Sequence, residues 1–148
     1  MAQEHFYEVT INWNEGRIGN LSSAVLNNTI DVATPPEFPK GVAGIWSPEH
    51  LFVAAVNSCL MTTFLAIAEN FKLDYSAFKS RATGKLEIVN GKYMISEIEL
   101  FSTVTIADEQ LKEKAIRVLE KSEAACLISN SITSKVILNP EVIVEQAN

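Results

Sequence analysis

Residues 47–68 read SPEHLFVAAVNSCLMTTFLAIA, and this stretch decides the fold of the chain. Ser47 is a favourable helix N-cap, and Pro48 suits the first helical position. Glu49 complements the positive end of the helix dipole. The 18 residues 51–68 carry no charge. The pattern predicts a long central helix that begins after Ser47 and ends at about Asn70.

The length of this helix approaches that of a membrane span, which needs about 20 apolar residues. Polar side chains interrupt its interior, and Glu49 and Glu69 bound it instead of the basic anchors typical of a span. The interior polar residues are Asn57, Ser58, Thr62 and Thr63. A helix that is apolar on most of its circumference is then expected to be buried at the centre of a domain or dimer. We therefore expect no membrane span.

The segment before the helix predicts three strands and a loop. Residues 5–13 alternate apolar and polar side chains, which is the period of a half-buried strand. Residues 14–17 predict a turn, and residues 18–25 and 29–33 predict two strands separated by Asn27-Asn28. Residues 34–46 contain three prolines and two glycines, so a functional loop is expected there.

The segment after the helix predicts a hairpin, a second helix and a last strand. Residues 76–89 and 93–106 form two long strand patterns joined by Asn90-Gly91, a strong hairpin signal. Asp108 is expected to cap a helix that ends near Ala125, and residues 135–144 predict the final strand. The apolar face of this second helix comprises Leu111, Ala115, Val118, Leu119 and Ser122.

The resulting order is βββ-α-ββ-α-β over one expected domain, residues 1–148. Because hairpins join antiparallel strands, we expect an α+β protein in which an antiparallel sheet wraps around the buried central helix. The net charge of −6 gives no electrostatic reason to bind nucleic acid or anionic lipid. The N-terminus shows no secretory signal pattern, so a cytoplasmic location is expected.

Cys59 and Cys126 are the only cysteines in the chain. In a reducing compartment a standing structural disulfide is disfavoured, and such a pair is catalytic, transient or simply two buried thiols. A dithiol redox pair is the hypothesis to test. With only two histidines and no ligand spacing, no metal site and no cofactor are expected.

Two motifs resemble the OsmC/Ohr family of organic-hydroperoxide reductases. Residues 47–59 resemble the helix signature of that family, and residues 126–131, CLISNS, resemble its second-cysteine motif. The resemblance implies an intertwined homodimer with active sites at the interface between chains. It also implies that Cys59 is the peroxidatic cysteine and Cys126 the resolving cysteine.

The same resemblance implicates Arg17 and Glu49. Residues 16–19, GRIG, are similar to the turn that supplies an active-site arginine in the Ohr branch, and Glu49 is the acid of the helix signature. The proline that follows the second cysteine in the best-known branches is replaced by Leu127. The loop before the helix carries Lys40 but no arginine, so Arg17 is the preferred candidate and the exact subfamily stays open.

Chemistry explains why an arginine is expected. Thiolate, rather than thiol, cleaves a peroxide, and a nearby cation stabilises the thiolate. We expect Arg17 to fill this role, with Glu49 orienting it. On one continuous helix Glu49 and Cys59 lie ~15 Å apart along the axis. Either the helix breaks between them, or Arg17 and Glu49 come from a partner subunit; we favour the partner.

The expected function is a thiol-dependent peroxidase that reduces organic hydroperoxides to alcohols through a Cys59 sulfenic acid and a Cys59–Cys126 disulfide. The resemblance implies recycling by an external dithiol such as a lipoylated protein. The alternatives are a carrier of small apolar ligands and a redox-sensing protein with little turnover. Four residues near the motifs are candidates for an apolar substrate pocket, although core packing is the more frequent role of such side chains. They are Phe38, Trp46, Phe52 and Met61.

Overall fold

The computed structural model of the chain describes residues 3–145. The chain divides into two compact units, Met1–Leu51 and Phe52–Asn148. The observed order of strands and long helices is the predicted βββ-α-ββ-α-β, and the α+β class is confirmed. The elements are β1 (Thr10–Glu15), β2 (Ile18–Ser22), β3 (Ile30–Ala33), α1 (Pro48–Asn70), β4 (Ala77–Val89), β5 (Lys92–Ile106), α2 (Lys112–Ala125) and β6 (Lys135–Val144).

In the first unit, β1, β2 and β3 form an antiparallel sheet in that order. The first strand starts later than predicted, at Thr10, and the second ends at Ser22 instead of at residue 25. The prediction that β1 is half-buried is wrong for the single chain, because all six of its residues are exposed, with Trp13 at 75%. The alternating apolar side chains of β1 therefore lie on a surface that the described residues leave uncovered.

Helix α1 begins where the sequence predicts, because Ser47 caps it. The Ser47 Oγ accepts a hydrogen bond from the backbone N–H of His50 at 3.1 Å. The helix runs unbroken to Asn70 and ends before Lys72, whose φ of 54° lies in the left-handed region. The continuity of α1 rules out a helix break between Glu49 and Cys59.

By length and composition alone, α1 is able to cross a membrane, and 28% of its most apolar stretch is buried. Each buried residue lies three or four positions from another buried residue, so together they form one stripe along the helix. They are Val56, Cys59, Leu60, Phe64 and Ala68. The remaining apolar positions include Met61 and Leu65, which are 40% and 41% exposed. A single chain thus covers one side of α1 and leaves much of the rest accessible.

In the second unit, β4 and β5 form the predicted hairpin, with Asn90 and Gly91 at positive φ in the turn. The expectation of purely antiparallel pairing is wrong for β6, which pairs with β5 in parallel. The reason is that α2 separates these strands and carries the chain back before it re-enters the sheet. The six strands also form two sheets of three rather than one.

The core of the second unit lies between α1, β5 and α2. Phe64 and Ala68 of α1 pack with Val104 and Ile106 of β5 and with Ala115, Val118 and Leu119 of α2. Nearer the start of the helix, Val56 and Leu60 pack with Ile98 and Leu100 of β5. Of the predicted face of α2, Ala115, Val118, Leu119 and Ser122 are buried, whereas Leu111 lies before the helix and is half-buried. The predicted cap, Asp108, accepts a hydrogen bond from the Gln110 N–H at 2.9 Å at the start of a 3₁₀ turn before α2. This packing holds the middle of α1 against β5 and α2.

Candidate functional site

Cys59 lies in the middle of α1 on its buried stripe and is 8% exposed. Its sulfur lies 3.9 Å from the hydroxyl oxygen of Thr63, one turn further along the helix. The hydroxyl of Thr62, one position before Thr63, instead donates to the Cys59 carbonyl at 3.1 Å. The Thr63 hydroxyl is therefore the one on this turn that faces the sulfur.

Cys126 lies directly after the last residue of α2 and is 1% exposed. Its extended backbone ends the helix, and its N–H donates to the Glu123 carbonyl at 3.2 Å. The chain then folds into a short 3₁₀ turn, Ser129–Ser131, which is held to Cys126 by a 3.0 Å bond from the Asn130 N–H to the Cys126 carbonyl. The end of α2 thus holds a second buried thiol.

Both cysteines are buried free thiols, and each thiol shifts the pKa of the other, so the fold places the two sulfurs near one another. Burial raises the pKa of the Cys59 thiol, but hydrogen bonds to its sulfur outweigh burial and leave the pKa below its ordinary value. The donors, in order of effect, are the Cys126 side chain, the Ile128 backbone N–H, the Thr63 hydroxyl and the Leu127 backbone N–H. Cys59 is therefore the member of the pair that ionises first.

The environment of Cys126 raises the pKa of its thiol, whereas that of Cys59 lowers it. Burial raises the pKa of the Cys126 thiol, and its neighbour Cys59 raises it further. The hydroxyl and backbone N–H of Ser129 oppose both effects without overcoming them. The pair is asymmetric, with an anionic sulfur favoured at Cys59 and a protonated donor favoured at Cys126. Such an arrangement is suited to a nucleophilic thiolate backed by a second thiol.

Sequence reasoning missed Thr63, Ser129 and the two backbone donors of Leu127 and Ile128. Helical spacing carries a signal for Thr63, because residues four apart lie on the same face. The others shift the pKa values of the two thiols only because of where the chain runs after α2, which no local pattern indicates.

Arg17 and Glu49 both lie in the first unit. Arg17 sits in the turn between β1 and β2, where Gly16 adopts a φ of 52° and the Trp13 ring nitrogen donates to the Gly16 carbonyl at 3.0 Å. A Cβ at Gly19 would lie 2.9 Å from the Asn12 carbonyl, so both glycines of the motif are required by the backbone. Arg17 lines an otherwise largely apolar groove of about 440 Å³ together with Trp13, Ile18 and Pro48. Glu49 is half-buried in the first turn of α1.

The four candidate substrate residues have different environments. Trp46 is 52% exposed and packs edge-on against the His50 ring, with ring centroids 6.2 Å apart. Met61 is 40% exposed on α1, whereas Phe52 packs against the core around Val56. Phe38 is half-buried in a turn of the loop before α1. A role in substrate binding stays a prediction for all four, and for Phe52 core packing is observed.

Within residues 3–145, no three His, Cys, Asp or Glu side chains converge as they would around a metal ion. The pair of cysteines has no third ligand of these types in that part of the chain. The chemistry that the described residues offer at this site is thiol chemistry.

The two thiols are expected to titrate in a fixed order. In a Cys126→Ser variant, which keeps a hydroxyl beside Cys59, the ultraviolet absorbance of the thiolate is expected to rise at a lower pH than for an ordinary cysteine. In Cys59→Ser it is expected to rise at a higher pH. Adding Thr63→Val to the Cys126→Ser variant removes one hydrogen-bond donor to the Cys59 sulfur. The midpoint of the Cys59 titration is then expected to move to higher pH. A Cys59 midpoint at or above that of Cys126 would contradict the assignment.

Comparisons with known proteins bear on the fold and the family of the chain. A solved OsmC-like protein of unknown function from Vibrio cholerae O1 biovar eltor superposes with a TM-score of 0.81 at 19% identity, covering 93% of this chain and 99% of the other. An organic hydroperoxide resistance protein OsmC from Legionella pneumophila gives a TM-score of 0.74 at 22% identity, with 95% and 100% covered. These likenesses show the fold.

At the level of sequence, the chain is 24% identical over 150 residues to the uncharacterized protein YmaD of Bacillus subtilis (strain 168), covering 98% of this chain and 97% of that protein. The sequence model of OsmC-like proteins matches residues 41–141, which is more than half of the chain and includes both cysteines. The chain belongs to the OsmC-like protein family.

Proposed function

We propose that this protein is a thiol-dependent peroxidase that reduces organic hydroperoxides to alcohols. The observation that carries the proposal is the pairing of Cys59 and Cys126, in which hydrogen bonds favour a thiolate at Cys59 and burial keeps Cys126 protonated. Membership of the OsmC-like family supports it, as does the fold shared with a Legionella pneumophila protein named for organic hydroperoxide resistance.

The first step is the attack of the Cys59 thiolate on the terminal oxygen of the hydroperoxide. A sulfur–oxygen bond forms, the O–O bond breaks, and the alkoxide leaves and takes up a proton to become the alcohol. The sulfur loses two electrons to the peroxide and becomes a sulfenic acid. Donors at the sulfur, including Thr63, lower the pKa of the nucleophile and so raise the fraction present as thiolate at neutral pH.

The second step is the formation of a disulfide. The Cys126 sulfur attacks the sulfenic sulfur, the S–S bond forms, and the S–O bond breaks with loss of water. Because each thiol already shifts the pKa of the other, the two sulfurs are neighbours before the disulfide forms. An external dithiol, for which a lipoylated protein is our candidate, then reduces the disulfide and becomes oxidised itself. A reducing cytosol, where we place the protein, supplies such donors.

We further propose that the active form is a homodimer in which Arg17 and Glu49 of the partner subunit complete each site. The unbroken α1 supports this assembly, since it separates Glu49 from Cys59 of the same chain by ~15 Å along the helix axis. The apolar surface of the single chain supports it too. β1 is exposed along its length, and so are Met61 and Leu65 of α1. A second copy of the chain would cover these apolar side chains in the proposed dimer.

The substrate we propose is an alkyl or fatty-acid hydroperoxide rather than hydrogen peroxide. Transfer of an alkyl group from water to apolar side chains is favourable, and hydrogen peroxide has no such group. Trp46 in the first unit and Met61 in the second are exposed aromatic and thioether side chains, and each is able by itself to contact an alkyl group. The Arg17 groove, with Ile11, Trp13 and Val32 in its wall, offers a further apolar surface beside a cation.

The test measures peroxide consumption by wild type and by Cys126→Ser. Each protein is supplied with a dithiol and with either an alkyl hydroperoxide or hydrogen peroxide. Wild type is expected to consume the alkyl hydroperoxide catalytically and faster than hydrogen peroxide. Cys126→Ser is expected to oxidise once at Cys59 and then to accumulate sulfenic and sulfinic acid, visible as added oxygen in the intact mass.

Three outcomes would contradict the proposal in different ways. Oxidation of wild type once, without steady consumption, would identify a redox sensor. No reaction at either sulfur, with retained binding of an apolar ligand, would identify a carrier. Unchanged turnover of Cys126→Ser would remove the disulfide from the mechanism.

A further inference from the structure

Ser129 has an unusual hydroxyl. Among the side chains of residues 3–145, only Asn57 Oδ1 and Ser129 Oγ are buried polar atoms that make no hydrogen bond of ordinary geometry. Nearby serines behave differently: Ser131 donates to the Leu127 carbonyl at 2.7 Å, and Ser122 donates to the Val118 carbonyl at 2.6 Å. Buried hydroxyls are rarely left unpaired, and those at reactive sites are candidates for a role in chemistry.

The position of Ser129 indicates what the hydroxyl faces. It is the first residue of the turn that folds back on Cys126, and the bond from the Asn130 N–H to the Cys126 carbonyl fixes this turn. Both the hydroxyl and the backbone N–H of Ser129 lower the pKa of the Cys126 thiol. Within the described part of the second unit, Cys59 is the titratable group that shifts the pKa of the Cys126 thiol, and it raises that pKa. The hydroxyl is therefore a buried donor with no hydrogen-bond partner of ordinary geometry, on a turn that is bonded to Cys126.

We propose that the Ser129 hydroxyl donates a hydrogen bond to the Cys126 sulfur when that sulfur becomes the attacking thiolate, and so sets the rate of disulfide formation. This inference rests on the proposed peroxidase function and adds a residue to it. The hydroxyl that is poorly paired in the thiol form gains a charged acceptor at the moment of attack.

The need for such a donor follows from the surroundings of Cys126. The sulfur is 1% exposed, so water does not solvate its anion, and its neighbour Cys59 also opposes ionisation. In the resolving step Cys126 gives up its proton and attacks the Cys59 sulfenic sulfur. The S–S bond forms, and the hydroxide released by S–O cleavage takes up that proton as water. Ser129 keeps its own proton throughout and stabilises the negative sulfur.

The biological consequence is a competition at Cys59. The sulfenic acid either forms the disulfide or reacts with a second hydroperoxide to give sulfinic acid, which a dithiol does not reverse. A slower attack by Cys126 lengthens the life of the sulfenic acid and shifts this competition toward sulfinic acid. Ser129 is thus expected to protect Cys59 under high peroxide without affecting how fast Cys59 first reacts.

The first arm of the test compares Ser129→Ala with Ser131→Ala, a matched loss of one hydroxyl from the same turn. After one equivalent of alkyl hydroperoxide, Ser129→Ala is expected to form the disulfide about tenfold more slowly, the size expected on losing one hydrogen bond to a charged group. It is also expected to accumulate more sulfinic acid by mass spectrometry. Cys59 oxidation is expected to keep its wild-type rate, and Ser129→Thr is expected to restore resolution.

The second arm needs no peroxide, so it separates failure of this inference from failure of the peroxidase proposal. In a Cys59→Ser background, adding Ser129→Ala is expected to move the Cys126 thiolate titration to higher pH, whereas adding Ser131→Ala leaves it in place. An unmoved midpoint in Ser129→Ala overturns the inference, and so does equal slowing of resolution by both serine variants. If Ser129→Ala shifts the Cys126 midpoint but the wild-type protein does not consume hydroperoxide catalytically, the hydrogen bond from Ser129 is supported and the peroxidase proposal is contradicted.

Discussion

Cys59→Ser is expected to reduce the consumption of alkyl hydroperoxide to the uncatalysed background, a loss on the order of 10³-fold or more. A serine hydroxyl is not ionised at neutral pH, so the hydrogen bonds that favour a thiolate at this position have no anion to stabilise. The measurement is the initial rate of hydroperoxide loss with excess dithiol, at matched protein concentration.

Two controls accompany this prediction. Thermal unfolding of Cys59→Ser is expected to stay close to wild type, because the substitution is nearly isosteric on a helix stripe packed by Leu60 and Phe64. Ser58→Ala, one position earlier and exposed, is expected to keep full activity. Retained turnover in a folded Cys59→Ser protein would remove Cys59 from the reaction altogether.

Mixing inactive subunits is expected to restore activity if the site is shared between chains. Arg17→Ala alone is expected to lose about 10²–10³-fold in rate, on the scale of removing one stabiliser of developing negative charge. When Arg17→Ala and Cys59→Ser chains are coexpressed, each mixed dimer combines Cys59 of one chain with Arg17 of the other at one of its two sites. Random pairing then gives about one quarter of wild-type activity.

The mixing experiment distinguishes the shared site from its alternatives. If Arg17 acted on Cys59 of its own chain, no mixed dimer would contain an intact site, and the mixture would be no more active than its parents. Purification through two different affinity tags isolates the mixed dimer, whose expected activity is about half that of wild type. Replacing Arg17→Ala by Glu49→Gln in the same scheme tests the second residue separately.

Much of the fold was predictable because its signals are local. Ser47-Pro48-Glu49 fixes the start of α1 through a cap, and Asn90-Gly91 fixes the hairpin through two residues at positive φ. The alternation in β1 predicted the presence of a strand correctly but failed for its burial. Alternation with a period of two shows that one face of a strand is apolar and the other polar. It does not show whether the same chain or a second chain covers the apolar face.

The pairing of β6 was less accessible to sequence reasoning. Its residues predict a strand correctly, with the observed bounds, but the choice between parallel and antiparallel pairing depends on how α2 returns the chain to the sheet. That choice depends on the contacts of the buried face of α2 with Phe64 of α1 and Val104 of β5. These contacts join parts of the chain that are distant in sequence.

The sequence by itself determined the class, the element order, the ends of the central helix and the two cysteines, because caps, turns and hydrophobic periods act over a few residues. Only the tertiary structure decided that Cys126, Leu127 and Ile128 lower the pKa of the Cys59 thiol and that Ser129 lowers the pKa of the Cys126 thiol. The physical reason is that the pKa of a thiol depends on burial and on donors a few ångströms away, and only packing places those donors.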